Sequence, residues 1–330
     1  MGKEIIRVEA RPLARTEPSE APANILAAGG NARFAYNEFF SHEDNDHTNR
    51  AYRHAVHRFL AHCESLGVPL PQIQADLLKD YIKGLRNEVN GKEASKPTKK
   101  LHLAGIRKFF DNLVVRHAVA LNPALSVRGP KHKVREGKTP AMSTEDARKL
   151  LASIDVTDVV GLRDRAIIAT LIYTAARVGA VAKLSHRDYY RDGRQHCLQL
   201  DEKGGVVREI PVRHDLEGFI DEYIAAAGTA EVSSPLFRSA VRKTKRLADA
   251  GMTANDILRM VKRRFAAAGL EATRLTCHSF RATTITNLLE QGVPLDDVQY
   301  LAGHSDPRTT RLYDRRTRAV TRNVVERITI

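Results

Sequence analysis

The chain has 330 residues, enough for two domains with cores of their own. Its 42% hydrophobic content is ordinary for a globular protein, and no apolar run approaches membrane-spanning length. With 53 Lys and Arg against 39 Asp and Glu, the net charge of +14 favours a polyanionic partner, although DNA, RNA and an acidic membrane surface fit that charge equally.

Residues 1–30 mix Pro, Glu, Ala and Gly without periodicity and read as a flexible arm. They lack the apolar core of a secretory signal, and Ile6 stands where N-myristoylation requires Ser or Thr. From Thr48 the pattern sharpens. Ala51, Tyr52, Ala55, Val56, Phe59, Leu60 and Cys63 recur at helical spacing, and Gly67 stops the run. The opposite face carries Arg50, Arg53, His54, His57 and Arg58. A second helix is expected over 71–85 with Ile73, Leu77, Tyr81 and Ile82 inward. A third is expected over 98–117, with Leu101, Ile106, Phe109, Phe110 and Leu113 apolar. The third helix brings Lys96, Lys99, Lys100, Arg107 and Lys108, and Asn122-Pro123 is expected to open a short closing helix. Basic faces on one helix would ordinarily serve solubility; clustered on several, they suit contact with a nucleic-acid backbone.

Residues 126–140 are dominated by Pro, Gly and charge, and read as a linker with Lys131, Lys133, Arg135 and Lys138 along it. Ser143 with Asp146 has the spacing of a capping box for a helix reaching Ile154. Another helix is expected over 161–174, with Ala166, Ile167, Leu171 and Ile172 inward. Residues 196–212 alternate Leu198 and Leu200, turn at Gly204-Gly205, then alternate Ile210 and Val212, which predicts a β-hairpin. Lys203 stands at its tip and Arg208 on its return strand. A helix over 215–227 is followed by a loop with Arg238, Arg242, Lys243, Lys245 and Arg246, a second surface suited to phosphates. Thr253 caps a helix through Ala268, ended by Gly269.

The chemistry concentrates in residues 276–316. His278 and Arg281 lie three apart at the head of a helix and share a face. His304 follows Gly303 after a second short helix. Asp306-Pro307 opens a third, which carries Tyr313. A guanidinium forks onto phosphate oxygens, an imidazole passes protons near neutral pH, and a phenol can act as a covalent nucleophile. Each residue alone is ordinary; their order and spacing make the case. Cys63, Cys197 and Cys277 are far apart and show no metal-ligand spacing, so they read as free thiols of a reducing compartment. Cys277, beside His278, could be a nucleophile, but a small buried filler is the commoner role.

This set resembles the tyrosine recombinase, or phage-integrase-like, family. That family carries His-x-x-Arg, then Leu-x-Gly-His, then a Ser/Thr-rich helix ending in the nucleophilic Tyr. Here these read His278 to Arg281, Leu301 to His304, and Thr309-Thr310-Arg311-Leu312-Tyr313. Thr48-x-x-x-Tyr52 and Asn122-Pro123 extend the likeness to a helical core-binding domain, so that it covers about residues 34–325.

The resemblance implies a mostly α fold with a small β-sheet. A SAM-like helical core DNA-binding domain (31–125) and a linker (126–141) would precede a catalytic domain with a C-terminal tail (142–330), the whole forming a clamp on DNA. It assigns the first catalytic arginine to Arg177 and the catalytic lysine to Lys203, followed by the matching Arg208-Glu209-Ile210-Pro211. His278, Arg281, His304 and Tyr313 complete the set, and Asp188 matches an Asp common downstream. The chain departs from the pattern at Ala175, usually Gly, and at Ala180, usually an acidic residue that braces the site.

The implied reaction is site-specific recombination through a 3′-phosphotyrosyl intermediate, needing no metal or nucleotide cofactor. The implied partners are double-stranded DNA with a specific site and a homotetramer on that DNA. Accessory proteins stay open, no membrane is involved, and the place of action is the cytoplasm, at the nucleoid. Relaxation of supercoils in the manner of a type IB topoisomerase, or DNA binding without catalysis, are the alternatives. Ala180 is the one feature in favour of the last.

Overall fold

A computed structural model describes residues 21–41, 46–132, 137, 139–202, 205–228, 231–242 and 244–314. The chain divides into two compact units, 1–133 and 134–330. Most of the expected flexible arm and the basic tail after Tyr313 (Arg315, Arg316, Arg318, Arg322) lie outside the described residues, as do Lys203, Lys243 and most of the linker charges.

The described residues of the first unit form five α-helices, α1 (Ala23–Ala27), α2 (Gly30–Ser41), α3 (Asp46–Ser65), α4 (Ala75–Gly84) and α5 (Lys96–Val115), with one isolated β-bridge between Arg86 and Glu93. Its core is aromatic. Tyr36, Phe39 and Phe40 of α2 meet Phe109 of α5 in edge-on and stacked pairs, and Phe59 of α3 meets Phe110. Ser95 caps α5 by accepting from the Thr98 N–H, and Pro97 occupies the first turn, where its missing N–H costs nothing.

Four details differ from the sequence expectation. The last part of the expected arm is α1, and Ile25 is fully buried in the core. Leu78 and Leu103 are buried, while Leu77 is half-buried and Leu101 exposed; one or two residues of helical phase decide each pair. The expected closing helix is a turn, because the Asn122 side chain accepts from the Ala124 N–H and donates to Arg107 and Asp111. Two of the expected surface cations are engaged internally. Lys99 is buried against Glu93 and the Lys83 carbonyl, and Arg107 donates to the carbonyls of Ala124 and Val127.

The second unit packs helices around α7 (Val159–Tyr173) and α11 (Cys277–Glu290), both buried nearly all round. Around them lie α6 (Thr144–Ala152), α8 (Val178–Lys183), α9 (His214–Ala227), α10 (Ala254–Ala267), α12 (Leu295–Ala302) and α13 (Pro307–Arg311). Ser143 and Thr253 cap α6 and α10 as expected. Asp164 of α7 accepts from Arg163 and from Arg264 of α10, so a buried carboxylate is paired on both sides.

The expected hairpin is β2 (Gln195–Asp201) and β3 (Val207–Pro211), with Leu198 opposite Ile210 and Leu200 opposite Arg208. A further strand, β1 (Tyr189–Asp192), pairs with β2 and makes an antiparallel sheet of three. The expected basic loop after Phe237 is a second hairpin, β4 (Arg238–Ala240) and β5 (Leu247–Gly251). Its charges are partly internal: Arg238 donates to Ala248 and Asp249, and Lys245 pairs with Asp158. No helix among the described residues is long and apolar enough to cross a membrane.

Candidate active site

Thr276 caps α11 with its side chain, in a reciprocal box with Ser279, and this sets His278 and Arg281 in the first turn and a half. Arg281 points inward and is among the largest fully buried side chains. It donates to the Ala175 carbonyl at 2.5 Å and to the Ala302 carbonyl. Burial, with the Arg177 charge nearby, pulls its pKa down to about 10, which still leaves it a cation at neutral pH.

Ala175 sits at φ 49°, in the left-handed region, so the backbone keeps the conformation that glycine adopts without strain. The turn that follows ends with Arg177 as the N-cap residue of α8. The Arg177 guanidinium pairs with Glu202 and reaches the Gly303 carbonyl at 3.4 Å, and its side chain is 39% exposed.

Gly303 ends α12 at φ 60°. A Cβ there would lie 2.7 Å from Nε of Arg208, so glycine is required by space as well as by backbone. His304 follows, buried. Its Nδ1 lies 2.8 Å from the Thr310 hydroxyl, and its ring stacks on that of Tyr313 at 5.9 Å. Burial first, then Arg281, Arg177, His278 and Arg208, push its pKa down to about 3. The ring is therefore neutral, and where Nδ1 accepts from Thr310, Nε2 carries a proton and faces away as a donor.

Asp306 caps α13, with Pro307 in its first turn, and the chain ends the helix just before Tyr313. The Tyr313 hydroxyl lies 3.0 Å from Nε2 of His278. Burial raises the phenol's pKa above 10, and Arg281 and Arg177 oppose that shift. Burial and the same two arginines lower the pKa of His278, which favours a neutral ring able to accept the phenol's proton. Arg177, Gly303 and His304 line an open cleft of about 740 Å³.

A model of the phage integrase family matches residues 140–319. The chain belongs to that family. It is 28% identical over 278 residues to the tyrosine recombinase XerD of Pseudomonas aeruginosa, covering 83% of this chain and 88% of that one. With the tyrosine recombinase XerC of Pelobacter propionicus it shares 30% identity over 72% of this chain and 73% of the relative. A lambda integrase tetramer bound to a Holliday junction has the same fold, with a TM-score of 0.62 at 16% identity over 93% of this chain and 85% of that one.

In this phage integrase family member, five of the six expected site residues, Arg177, His278, Arg281, His304 and Tyr313, gather in one place. The sixth, Lys203, lies outside the described residues. Two residues were not expected in the site. Glu202 is buried, and its carboxylate joins Arg177 to Arg208. Burial pushes the Glu202 pKa up, but hydrogen bonds from the two arginines outweigh it and hold the carboxyl below its usual range. Arg208, which the resemblance matched to the Arg-x-x-Pro segment of the return strand without giving it a place in the site, also donates to the Leu301 carbonyl.

The missing acid at position 180 therefore does not leave Arg177 without a carboxylate. Asp188 instead caps a local turn, accepting from the Ser185 N–H and hydroxyl. Cys277 is buried, and burial pushes its thiol up to about 11, so it keeps its proton at neutral pH. Away from the site, Asp192, Cys197 and Glu209 bring potential metal ligands within 4.8 Å of one another on the sheet, both carboxylates being exposed.

Proposed function

We propose that this chain is a site-specific DNA recombinase in which Tyr313 is the nucleophile. The observation that carries the reading is the Tyr313 phenol at 3.0 Å from Nε2 of His278, beside two arginines and a second imidazole. In this mechanism Tyr313 Oη attacks a backbone phosphorus of double-stranded DNA. The new P–O bond forms as the bond to the 5′-oxygen breaks, giving a 3′-phosphotyrosyl link. Nε2 of His278 receives the phenol's proton. Lys203 gives a proton to the departing 5′-oxygen. Arg177 and Arg281 hold the non-bridging oxygens, where charge builds in the transition state, and His304 donates to one of them. The phosphoester energy is kept in the covalent link, so a 5′-hydroxyl from another strand can reverse the step.

Exchange between two duplexes calls for several active sites, and the reading includes a homotetramer on the DNA. It also includes action in the cytoplasm on a mobile element or replicon. The arm, helical core-binding domain, linker and catalytic domain would together grip the duplex. The likeness to XerD and XerC over most of the chain supports this class over topoisomerase-like relaxation.

The test starts by recovering the duplex that the purified protein selects from a random DNA pool. On a nicked suicide version of that duplex, wild-type protein should form an SDS-stable adduct. Tyr313→Phe should bind with the same affinity and form none. An adduct that persists in Tyr313→Phe would move the nucleophile elsewhere.

A further inference from the structure

The carboxylate of Glu202 has only 1% of its side chain exposed, at the end of β2. Such a group is tolerated in a protein interior when its charge is fully paired. One oxygen takes the Arg177 guanidinium, and the other takes Arg208 Nη2 at 2.6 Å. Arg208 in turn holds the Leu301 carbonyl, two residues before the Gly303 carbonyl that Arg177 reaches. The carboxylate thus fixes one edge of Arg177 and leaves the rest of a half-open side chain facing the cleft.

A long, exposed arginine must lose rotamer freedom when it grips a phosphate. An arginine already held by a buried acid has lost it on folding. The same acid carries a negative charge toward an incoming phosphate, so it cannot help DNA binding by attraction. Its contribution must lie in geometry.

We propose that Glu202 is a positioning residue for strand cleavage: it holds Arg177, and through Arg208 the Gly303-His304 turn, in the arrangement that receives the scissile phosphate. This rests on the recombinase reading given above. The sign of the two effects separates it from a general structural role. Loss of the charge should leave DNA affinity unchanged or tighter while slowing the covalent step, whereas loosening of the fold would weaken both.

The experiment compares wild type, Glu202→Gln, Arg177→Lys and the double variant on the selected suicide duplex. Kd and the single-turnover rate of adduct formation at saturating DNA are measured separately. Glu202→Gln should slow adduct formation by about 10- to 100-fold, the scale of a small misplacement of a catalytic group, with Kd equal or lower. On the Arg177→Lys background the same change should cost clearly less than in the wild type, because part of its effect runs through the Arg177 contact. If Glu202→Gln folds poorly, Glu202→Asp keeps the charge, shortens the reach, and should show the same split.

A Glu202→Gln rate equal to or above wild type would overturn the proposal, as would a Kd that weakens in step with the rate. A full additional loss on Arg177→Lys would overturn it too. Failure of the wild-type protein to form any adduct would instead count against the recombinase reading itself.

Discussion

His304 lies where a protonated imidazole is least welcome. Packing removes water from the ring, and Arg281, Arg177 and Arg208 add positive potential around it. The folded protein holds it neutral down to a pKa of about 3, from an ordinary value of 6.5. Between those two values the unfolded chain binds a proton that the folded chain refuses. Stability from this residue is therefore complete above pH 6.5 and is lost as pH falls through the window. Comparing urea denaturation at pH 7 and pH 5, wild type should lose about 1 kcal/mol or more beyond any loss in His304→Gln. Equal losses in the two proteins would show that the ring is not held neutral. His278 and Tyr313 were legible in sequence, because the family spacing is local; a helix cap fixes the face of His278, and Tyr313 follows just past the end of α13. Glu202 was not. Its partner Arg177 is 25 residues upstream, and no periodicity links a hairpin acid to a helix N-cap. Only the fold brings them together.

At the scale of elements, the C-terminus of α12 is the feature that organises the site. A helix end leaves carbonyls without partners and carries partial negative charge. Here Leu301, Ala302 and Gly303, three carbonyls in a row, accept from Arg208, Arg281 and Arg177. One short helix end therefore orients three guanidiniums from three different elements. Gly303→Ala would strain the left-handed backbone and place a methyl against Arg208. It is expected to cost roughly 1–3 kcal/mol in chemical denaturation and to slow adduct formation more than it weakens DNA binding. Wild-type stability and rate in Gly303→Ala would mean that the turn relaxes freely. Helix caps at Ser143, Thr253 and Asp306 could be read directly, since a cap is a rule over a few residues. The strand Tyr189–Asp192 escaped because its Tyr-Tyr-Arg-Asp sequence does not alternate, and the β4/β5 hairpin because its charges masked the pairing of Arg238 with Gly251 and Ala240 with Leu247.

Over the whole molecule, the net charge of +14 overstates the cations free to meet DNA. Lys99, Arg107, Arg163, Arg238 and Arg264 are held by internal carbonyls and carboxylates. Composition points to a polyanion; the folded chain decides which charges can face it. Inside the second unit, Gly137 makes a more specific contact. The Gly137 N–H donates to the Leu312 carbonyl at 2.9 Å, and a Cβ on Gly137 would crowd that same oxygen. Slightly further on, the Met142 N–H donates to Thr283 on α11. Gly137→Pro removes the first of these donors. It should slow adduct formation on the suicide duplex while leaving Kd within about threefold, and a wild-type rate would show that the contact is dispensable. The Leu312 carbonyl belongs to the peptide that enters Tyr313, so a change at residue 137 reaches the backbone on which the proposed nucleophile stands.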